Sequence, residues 1–451
     1  MALENNLSKG RVASQLLKFA TPFIISNLIQ TLYNVVDLVV VGWFGNDASV
    51  AAVNNGSQLT FLATCIAIGL SVGATVLIGQ YFGADNREAL KKTIGTLLVT
   101  LSVLAAVATV LMVLFKDYLL KLIGVPEEAF REASDYLLVT ALGTIFIFGY
   151  NALSAIMRGM GDSKSPLIFV TVSCVANIIL DLLFVAVFNM ASLGAAVATV
   201  IAQAISVFFC IIYLARNKFI FDFKSLDSYK VDKFNLKVLM KVGLPTMVQQ
   251  VATSLSFLFL TALANGMGVA ASSAVGIVGK FNGFAILPAI AVSSAISAMS
   301  AQNIGADENG RAVKTMLTGL VLAYSITIPV YIIASLFPSQ ILSLFGDSSE
   351  IIEQGVSYLK YFSLDYLLVP LFFCLNGLFI GSGHTTFSLI TNLISSILIR
   401  IPVAWFFSSF IGNGMQGLGL GAPCSTAVSC VFVLIFFFTG AWKRKVIIKK
   451  S

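Results

Sequence analysis

Apolar segments of about twenty residues recur along almost the whole chain, and they limit its fold more than any other feature. A helix of ~20 apolar residues crosses the hydrocarbon core of a bilayer, and only helices or closed barrels satisfy their backbone polar groups there. We count twelve such segments, from 15–42 to 416–441. Only 11% of the 451 residues are charged, whereas soluble proteins carry roughly 25%. The sequence therefore predicts an all-α polytopic membrane protein with twelve transmembrane helices.

Lysine and arginine are concentrated on one set of alternating loops between the predicted spans. That set includes the N-terminus, the linker between the sixth and seventh spans, and the C-terminal tail "KRKVIIKK". The positive-inside rule places these loops, and with them both termini, in the cytoplasm. The same distribution accounts for the net charge of +7, so this charge does not indicate nucleic-acid binding.

The chain is a tandem repeat. Residues 80–93, "QYFGADNREALKKT", match residues 302–315, "QNIGADENGRAVKT", at six of fourteen positions. We therefore predict an N-terminal lobe at 1–214, a basic cytoplasmic linker at 215–239 and a C-terminal lobe at 240–451. Six helices per half is an even number, so both halves insert with the same orientation. Two parallel six-helix repeats are typical of transporters, whose substrate cavity lies near the membrane midplane.

The first predicted helix of each half contains a proline near its start. Pro22 lies in "FATPF", and Pro245 lies at the matching position in "VGLPT". Proline removes one backbone hydrogen bond and clashes with the preceding turn. We therefore expect both helices to have a kink, static or mobile, at these positions.

Charged residues inside the predicted spans of the N-terminal half have apolar counterparts in the C-terminal half. A residue that serves only the fold should recur in both halves, so Asp37 and Asp181 are candidates for function. Asn177 shares a helix face with Asp181, and Thr199 belongs to the next span. Two aspartates in a low dielectric need either a shared proton or a bound cation. These oxygen donors suit H+ and Na+ equally, and the alternative is a polar cluster that only holds helices together.

Other polar residues within the spans are further candidates for a cation or substrate site. An intramembrane charge is normally paired, so Lys280 or Arg400 is expected to pair with Asp365. Lys280 can alternatively act as a proton carrier or a substrate-sensing cation. The complete set of further candidates is Tyr33, Asn34, Asn151, Lys280, Asp365 and Arg400.

These features resemble the multidrug and toxic compound extrusion (MATE) family along the whole chain. The resemblance rests on twelve helices in two lobes, a proline and an aspartate with fourteen residues between them in helix 1 (Pro22 and Asp37), "Q-x2-GA" after helices 2 and 8, and "RGMGDS" after helix 4. It implies an N-lobe cation site at Asp37, Asn177, Asp181 and Thr199. Helix 7 lacks the acid of the NorM-like branch, and Val369 occupies the expected helix-10 acid position. This departure favours a DinF-like branch.

The residues and the resemblance together predict a secondary active transporter that works by alternating access. We expect it to export amphipathic, cationic small organic molecules in exchange for H+ or Na+, as a monomer in a bacterial cell membrane. Membrane lipids are its other expected partners, with no nucleic acid and no cofactor. The alternative is a flippase for lipids or lipid-linked oligosaccharides on the same fold. An intramembrane enzyme is disfavoured because the chain has neither HExxH nor GxSxG and only one histidine.

Overall fold

Helices make up all of the regular structure in the described part of the chain. The computed structural model describes residues 5–216, 221, 225–344, 348–410, 414–444 and 446–447, and these ranges contain no strand. The side chains of residues 34, 226 and 227 lie outside the description.

Seven α-helices form the N-terminal half of the sequence. They are α1 (Val12–Phe44), α2 (Asp47–Gly83), α3 (Arg87–Leu122), α4 (Glu127–Leu142), α5 (Thr144–Gly159), α6 (Lys164–Asp181) and α7 (Ala191–Arg216). The C-terminal half contains α8 (Lys233–Asn265), α9 (Val269–Ala285), α10 (Leu287–Gly305), α11 (Asn309–Leu336), α12 (Pro338–Ser343), α13 (Ser349–Phe362), α14 (Asp365–Gly381), α15 (Thr385–Leu393), α16 (Ile401–Phe410) and α17 (Gly414–Phe438). Short π-helical turns at Leu182–Val187 and Ile394–Arg400 continue α6 and connect α15 to α16.

The described helices supply the predicted number of membrane spans. Ten helical segments are long and apolar enough to cross a bilayer. Two further pairs, α4 with α5 and α13 with α14, pass the same test when each pair is treated as one span bent by 43° or 44°. Ten spans plus two bent pairs give twelve, so the predicted fold class is confirmed.

The chain divides into two compact units, and it passes between them inside α1 and α8. The first unit, here called the N-unit, contains residues up to Asn6 together with Ile25–Met247. The second, the C-unit, contains Leu7–Ile24 and the chain from Val248 onward. Inside α1 and α8 the next unit begins three residues after Pro22 and Pro245, respectively. The lobes expected at 1–214 and 240–451, with their linker at 215–239, stay a prediction beside this division.

The repeated Gly-Ala-Asp turns end α2 and α10 with the same backbone geometry. Asp85 and Asp307 both have positive φ angles, 54° and 63°. The amide of the next residue reaches back five positions in each turn, from Asn86 to the carbonyl of Tyr81 and from Glu308 to that of Asn303. This is the Schellman pattern, which satisfies the last carbonyls of a helix. Aspartate tolerates the left-handed region better than most residues, so the recurrence of these turns serves the fold.

Arg311 of α11 binds the backbone of the segment that precedes α1 within the C-unit. The Arg311 guanidinium donates to the backbone carbonyls of Leu7, Lys9 and Gly10, with its shortest such bond, 2.8 Å, to Gly10. It also donates to Oε1 of Gln15 at 2.6 Å. A planar guanidinium with five donors suits this convergence of carbonyls. The start of α1 is thereby held at the beginning of α11.

The linker before α8 packs closely against α3 in the N-unit. The amide of Asp232 donates to Oγ1 of Thr96 at 3.0 Å. A Cβ atom at Gly95 would lie 2.0 Å from the carbonyl oxygen of Ser228, a separation far below van der Waals contact. Gly95 is therefore required by the close approach of the linker backbone.

Replacing Gly95 tests this close contact. We expect Gly95→Ala to lower the thermal unfolding midpoint in detergent, with a cost of about 1–3 kcal/mol typical of overpacking. Gly310→Ala is the matched control, because a Cβ there meets no atom within 4 Å and alanine favours the helix. Equal midpoints for the two variants would contradict the proposed packing of the linker.

Candidate functional site

Three helices of the N-unit bring two buried carboxyl groups and one amide together. Asp37 comes from α1, Asn177 and Asp181 come from α6, and Thr199 comes from α7. Asp37 is 7% exposed, whereas Asn177 and Asp181 are completely buried. Oγ1 of Thr199 donates to Oδ2 of Asp37 at 3.4 Å. We call these four residues the carboxylate cluster.

The Asn177 amide connects the two acids of the carboxylate cluster. Its hydrogen bonds are satisfied only when Nδ2 faces both carboxyl groups, because carboxylate oxygens can only accept. In that orientation Nδ2 donates to Oδ1 of Asp37 at 2.8 Å and to Oδ2 of Asp181 at 3.2 Å. One amide therefore holds both acids at bilayer depth.

The two carboxyl groups also lie within hydrogen-bonding reach of each other. Oδ1 of Asp181 is buried and has no hydrogen-bond partner among the residues that the structure describes. Two ionised carboxylates this close in a low dielectric repel each other strongly. The arrangement therefore suits one shared proton or one cation between the acids, and the unpartnered oxygen is available to it.

Local helix geometry sets the direction of Asp181. Asn177 precedes it by four residues, so both side chains project from the same face of α6. Asp181 is the last residue of α6, and the π-helical turn Leu182–Val187 follows it directly. π-helical turns are rare and occur frequently at functional sites. The apolar sequence "LLFVAV" gave no sign of this turn.

Two tyrosines lie beside the carboxylate cluster. Tyr33 interacts electrostatically with Asp37, and its hydroxyl group is close to the Thr199 side chain. Tyr136, from α4, is 4% exposed and interacts with both Asp37 and Asp181. Sequence reasoning did not include Tyr136 among the site candidates. Its recurrence as Tyr358 in the second half was a signal, because both tyrosines lie beside a charged cluster.

Two further predicted site residues, Asn34 and Asn151, are not seen in the carboxylate cluster of the described structure, for different reasons. The Asn34 side chain lies outside the described residues. Nδ2 of Asn151 donates to the carbonyl of Ile147 in its own helix at 2.8 Å. In the described part of the chain, Asn151 makes no hydrogen bond to the carboxylate cluster.

The C-unit buries a guanidinium near an acid. Arg400 is 8% exposed and Asp365 is 5% exposed. Nε of Arg400 donates to Oγ of Ser425 at 3.1 Å, and its guanidinium lies 4.6 Å from the ring centre of Phe257. Thr426 hydrogen-bonds the Asp365 carboxyl group.

Arg400 and Asp365 attract each other without forming a direct ion pair. Their charges interact, yet among the described residues no nitrogen-to-oxygen distance between them is within 4.0 Å. One atom of each group, Nη1 of Arg400 and Oδ1 of Asp365, is buried without a partner in the described part of the chain. Arg400 is also the last residue of the π-helical turn Ile394–Arg400. Arg400, and not Lys280, is thus the charge close to Asp365.

Lys280 lies in α9 and is exposed. Within the described ranges it makes no hydrogen bond or ion pair, so the expected pairing with Asp365 is absent there.

Pro22 and Pro245 each lie inside a continuous helix, α1 and α8 respectively. No group of three or more metal-ligating residues of the His, Cys, Asp and Glu types occurs in the ranges that the structure describes.

The family model described as MatE matches this chain twice, at residues 22–183 and 245–406. The two matches begin at the two helix prolines and have equal length. A "Probable multidrug resistance protein YoeA" from Bacillus subtilis is 31% identical over 445 residues, covering 97% of this chain and 96% of that protein. A "FAD transporter" from Shewanella oneidensis is 23% identical over 437 residues, covering 94% of each.

A solved structure described as "MATE in the straight conformation" has the same fold. The TM-score is 0.91 at 24% sequence identity, and the match covers 97% of this chain and 98% of that one. This likeness concerns the fold alone.

The buried pair in the C-unit generates a stability prediction. Removing one partner of a buried charge pair leaves the other uncompensated and costs about 3–5 kcal/mol. We expect Arg400→Met to lower the thermal unfolding midpoint strongly, and Arg400→Met with Asp365→Asn to recover part of the loss. Thermal unfolding of Arg400→Met, Asp365→Asn and the double variant in detergent measures the coupling. If the loss in the double variant equals or exceeds the sum of the two single losses, the two charges do not stabilise each other.

Proposed function

Because this chain belongs to the MatE family of multidrug and toxic compound extrusion proteins, we propose that it is a cation-driven exporter of amphipathic small organic molecules. The protein is a multi-pass membrane transporter and not an enzyme. Its relatives in this family are bacterial multidrug resistance proteins by name. The coupling, the substrate class and the transport cycle are the parts that we propose.

The observation that carries the proposal is the Asn177 amide between two buried carboxyl groups. Burial of Asp37 and Asp181 at bilayer depth is costly, and the second half folds with apolar residues at the matching positions. A group that must be neutralised inside the membrane is suited to take up a cation from one side. We propose that the carboxylate cluster binds the coupling ion.

The orientation of Asn177 bears on which ion couples transport. With Nδ2 toward both acids, the amide donates to both carboxyl groups, and a shared proton would neutralise the remaining charge. A sodium ion would instead require the amide oxygen, because Na+ is bound by oxygen ligands. Rotation of the amide by a half turn about χ2 exchanges the two atoms. The carboxylate cluster accommodates either orientation of the amide, so a gradient experiment is what separates H+ from Na+.

Ion binding must change the shape of the protein to drive export. Asp37 lies on α1 fifteen residues after Pro22, and the carbonyl freed by a proline gives a helix a natural bending point. Neutralising the cluster removes the repulsion between α1 and α6. We propose that this shifts the equilibrium between inward-open and outward-open states, with Pro22 and Pro245 as the bending points. The ion can shift that equilibrium only by its difference in affinity for the two states.

Several finer points stay predictions. They are the amphipathic and cationic character of the substrate, the monomeric state, the cytoplasmic termini, the contacts with membrane lipids and the DinF-like branch. The relative named as a FAD transporter indicates that a member of this group can carry an anionic substrate. The residues of the C-unit must therefore indicate whether the substrate carries a positive or a negative charge.

Replacing each acid of the carboxylate cluster tests whether the cluster binds the coupling ion. Asp37→Asn and Asp181→Asn each remove a group that takes up the ion, and we expect gradient-driven export to fall by at least about tenfold, since an essential charge is lost. The measurement uses proteoliposomes containing a fluorescent organic dye, with an H+ gradient alone and then a Na+ gradient alone. The gradient that drives wild-type export identifies the ion. Unchanged export in both variants would make the cluster structural.

Asp135→Asn is the matched control, because Asp135 is exposed on α4 outside the carboxylate cluster. It should transport like wild type. If wild type moves no dye under either gradient, a lipid-translocation assay on the same vesicles tests the flippase alternative.

Replacing Pro22 tests whether α1 bends during transport. Pro22→Ala restores a backbone hydrogen bond in α1, so the straight helix becomes more stable. We expect slower export at saturating ion and dye with little change in dye affinity, because a conformational step and not binding is altered. Initial rates and equilibrium dye binding measure the two effects separately. A change in dye affinity at an unchanged rate would contradict a bending role.

A further inference from the structure

The exposed middle of α9 in the C-unit carries three glycines and one lysine, between the exposed Val269 at the start of the helix and the exposed Phe284 near its end. Gly276, Gly279, Lys280 and Gly283 are exposed, and they follow the spacing of one helix face. A Cβ added at any of the three glycines meets no atom within 4 Å. This face, here called the glycine–lysine face, therefore borders open space.

The composition of the glycine–lysine face does not suit lipid. The exposed face of α3 shows what a lipid-facing surface of this protein contains: Val103, Val107, Val110, Leu111 and Leu114. Between Gly276 and Gly283, α9 exposes no large aliphatic side chain. A surface with three glycines and a charge is instead typical of a helix that lines a water-filled path.

The depth of Lys280 strengthens this assignment. Lys280 lies eleven residues after the first residue of α9, which is about 16 Å along a helix axis. A lysine near a helix end can extend its ammonium group to the interface, but this distance exceeds the reach of its side chain. An ammonium group so far inside a span requires water or an anionic partner.

No protein group in the described ranges supplies that partner. Lys280 makes no hydrogen bond or ion pair there, and the Asp365 carboxyl group is buried with Thr426 and interacts with Arg400 instead. The lysine therefore presents a positive charge to the open space beside α9. Three flanking glycines allow a ligand to approach the helix backbone closely.

We propose that Lys280 binds an acidic group, a carboxylate or a phosphate, of the exported molecule. This inference rests on the proposed export function and names its substrate class as amphipathic organic acids and zwitterions. A purely cationic substrate, as the family resemblance predicts, would be repelled by Lys280. The ammonium group is a point charge with three donors, so it can bind carboxylates and phosphates of varied shape.

Two dyes that differ by a single acidic group test the proposal. Rhodamine B carries a free carboxylate at neutral pH, whereas its methyl ester carries none on the same ring system. Binding of each dye to purified protein in detergent is measured by fluorescence anisotropy, which does not depend on transport. Export of each dye is measured in proteoliposomes under the driving gradient.

We expect wild type to bind the free acid about tenfold or more tightly than the ester, as for a hydrogen bond to a charged group. Lys280→Gln should abolish that preference by weakening binding of the acid alone. Lys280→Arg should retain it, because the charge is kept. Lys314→Gln removes an exposed charge at the start of α11 and should behave like wild type.

The outcomes separate this inference from the export function. If Lys280→Gln weakens both dyes equally, or neither, then Lys280 does not recognise an acid and the proposal is wrong. If wild type binds the acid selectively but no gradient moves it, the export function fails while the binding site stands. If Asp37→Asn stops export of both dyes and Lys280→Gln affects the acid alone, both proposals are supported.

Discussion

The bridge from Asn177 to Asp37 and Asp181 is the interaction on which the functional part of the structure depends. Two carboxyl groups within a span cannot both remain charged and unpaired. With its nitrogen toward the acids, a single amide donates to both, at 2.8 Å and 3.2 Å, and one oxygen of Asp181 has no partner among the described residues. The cluster therefore joins α1 and α6, and we propose that it holds one neutralising cation.

The two halves share a backbone design but differ in charge. Both end a long helix with an aspartate in the left-handed region, at Asp85 and Asp307, and both place a tyrosine beside buried charges. The N-unit concentrates acids, whereas the C-unit buries Arg400 and exposes Lys280. A duplicated scaffold can thus keep its turns for folding while its charges diverge, and we propose that the carboxylates serve a coupling cation and the lysine a substrate acid.

Much of the fold and part of the site followed from local chemistry. Apolar segments long enough to span a bilayer predicted twelve helices, and the matching turns at 80–93 and 302–315 predicted the tandem repeat. Asp37 and Asp181 were recognisable because an acid inside an apolar run is costly. Tyr136 was missed as a site residue, because an apolar helix carrying a tyrosine gives no measure of its distance from an acid on another helix.

The sequence by itself determined which segments enter the membrane and which charges they carry, because burial of backbone and charge in lipid is decided residue by residue. Only the tertiary structure decided which charges meet. Arg400, and not Lys280, lies near Asp365, and Lys280 remains exposed on α9. The π-helical turns after Asp181 and before α16 were equally hidden. Helix rotation and packing set these distances, and they depend on contacts between residues far apart in the chain.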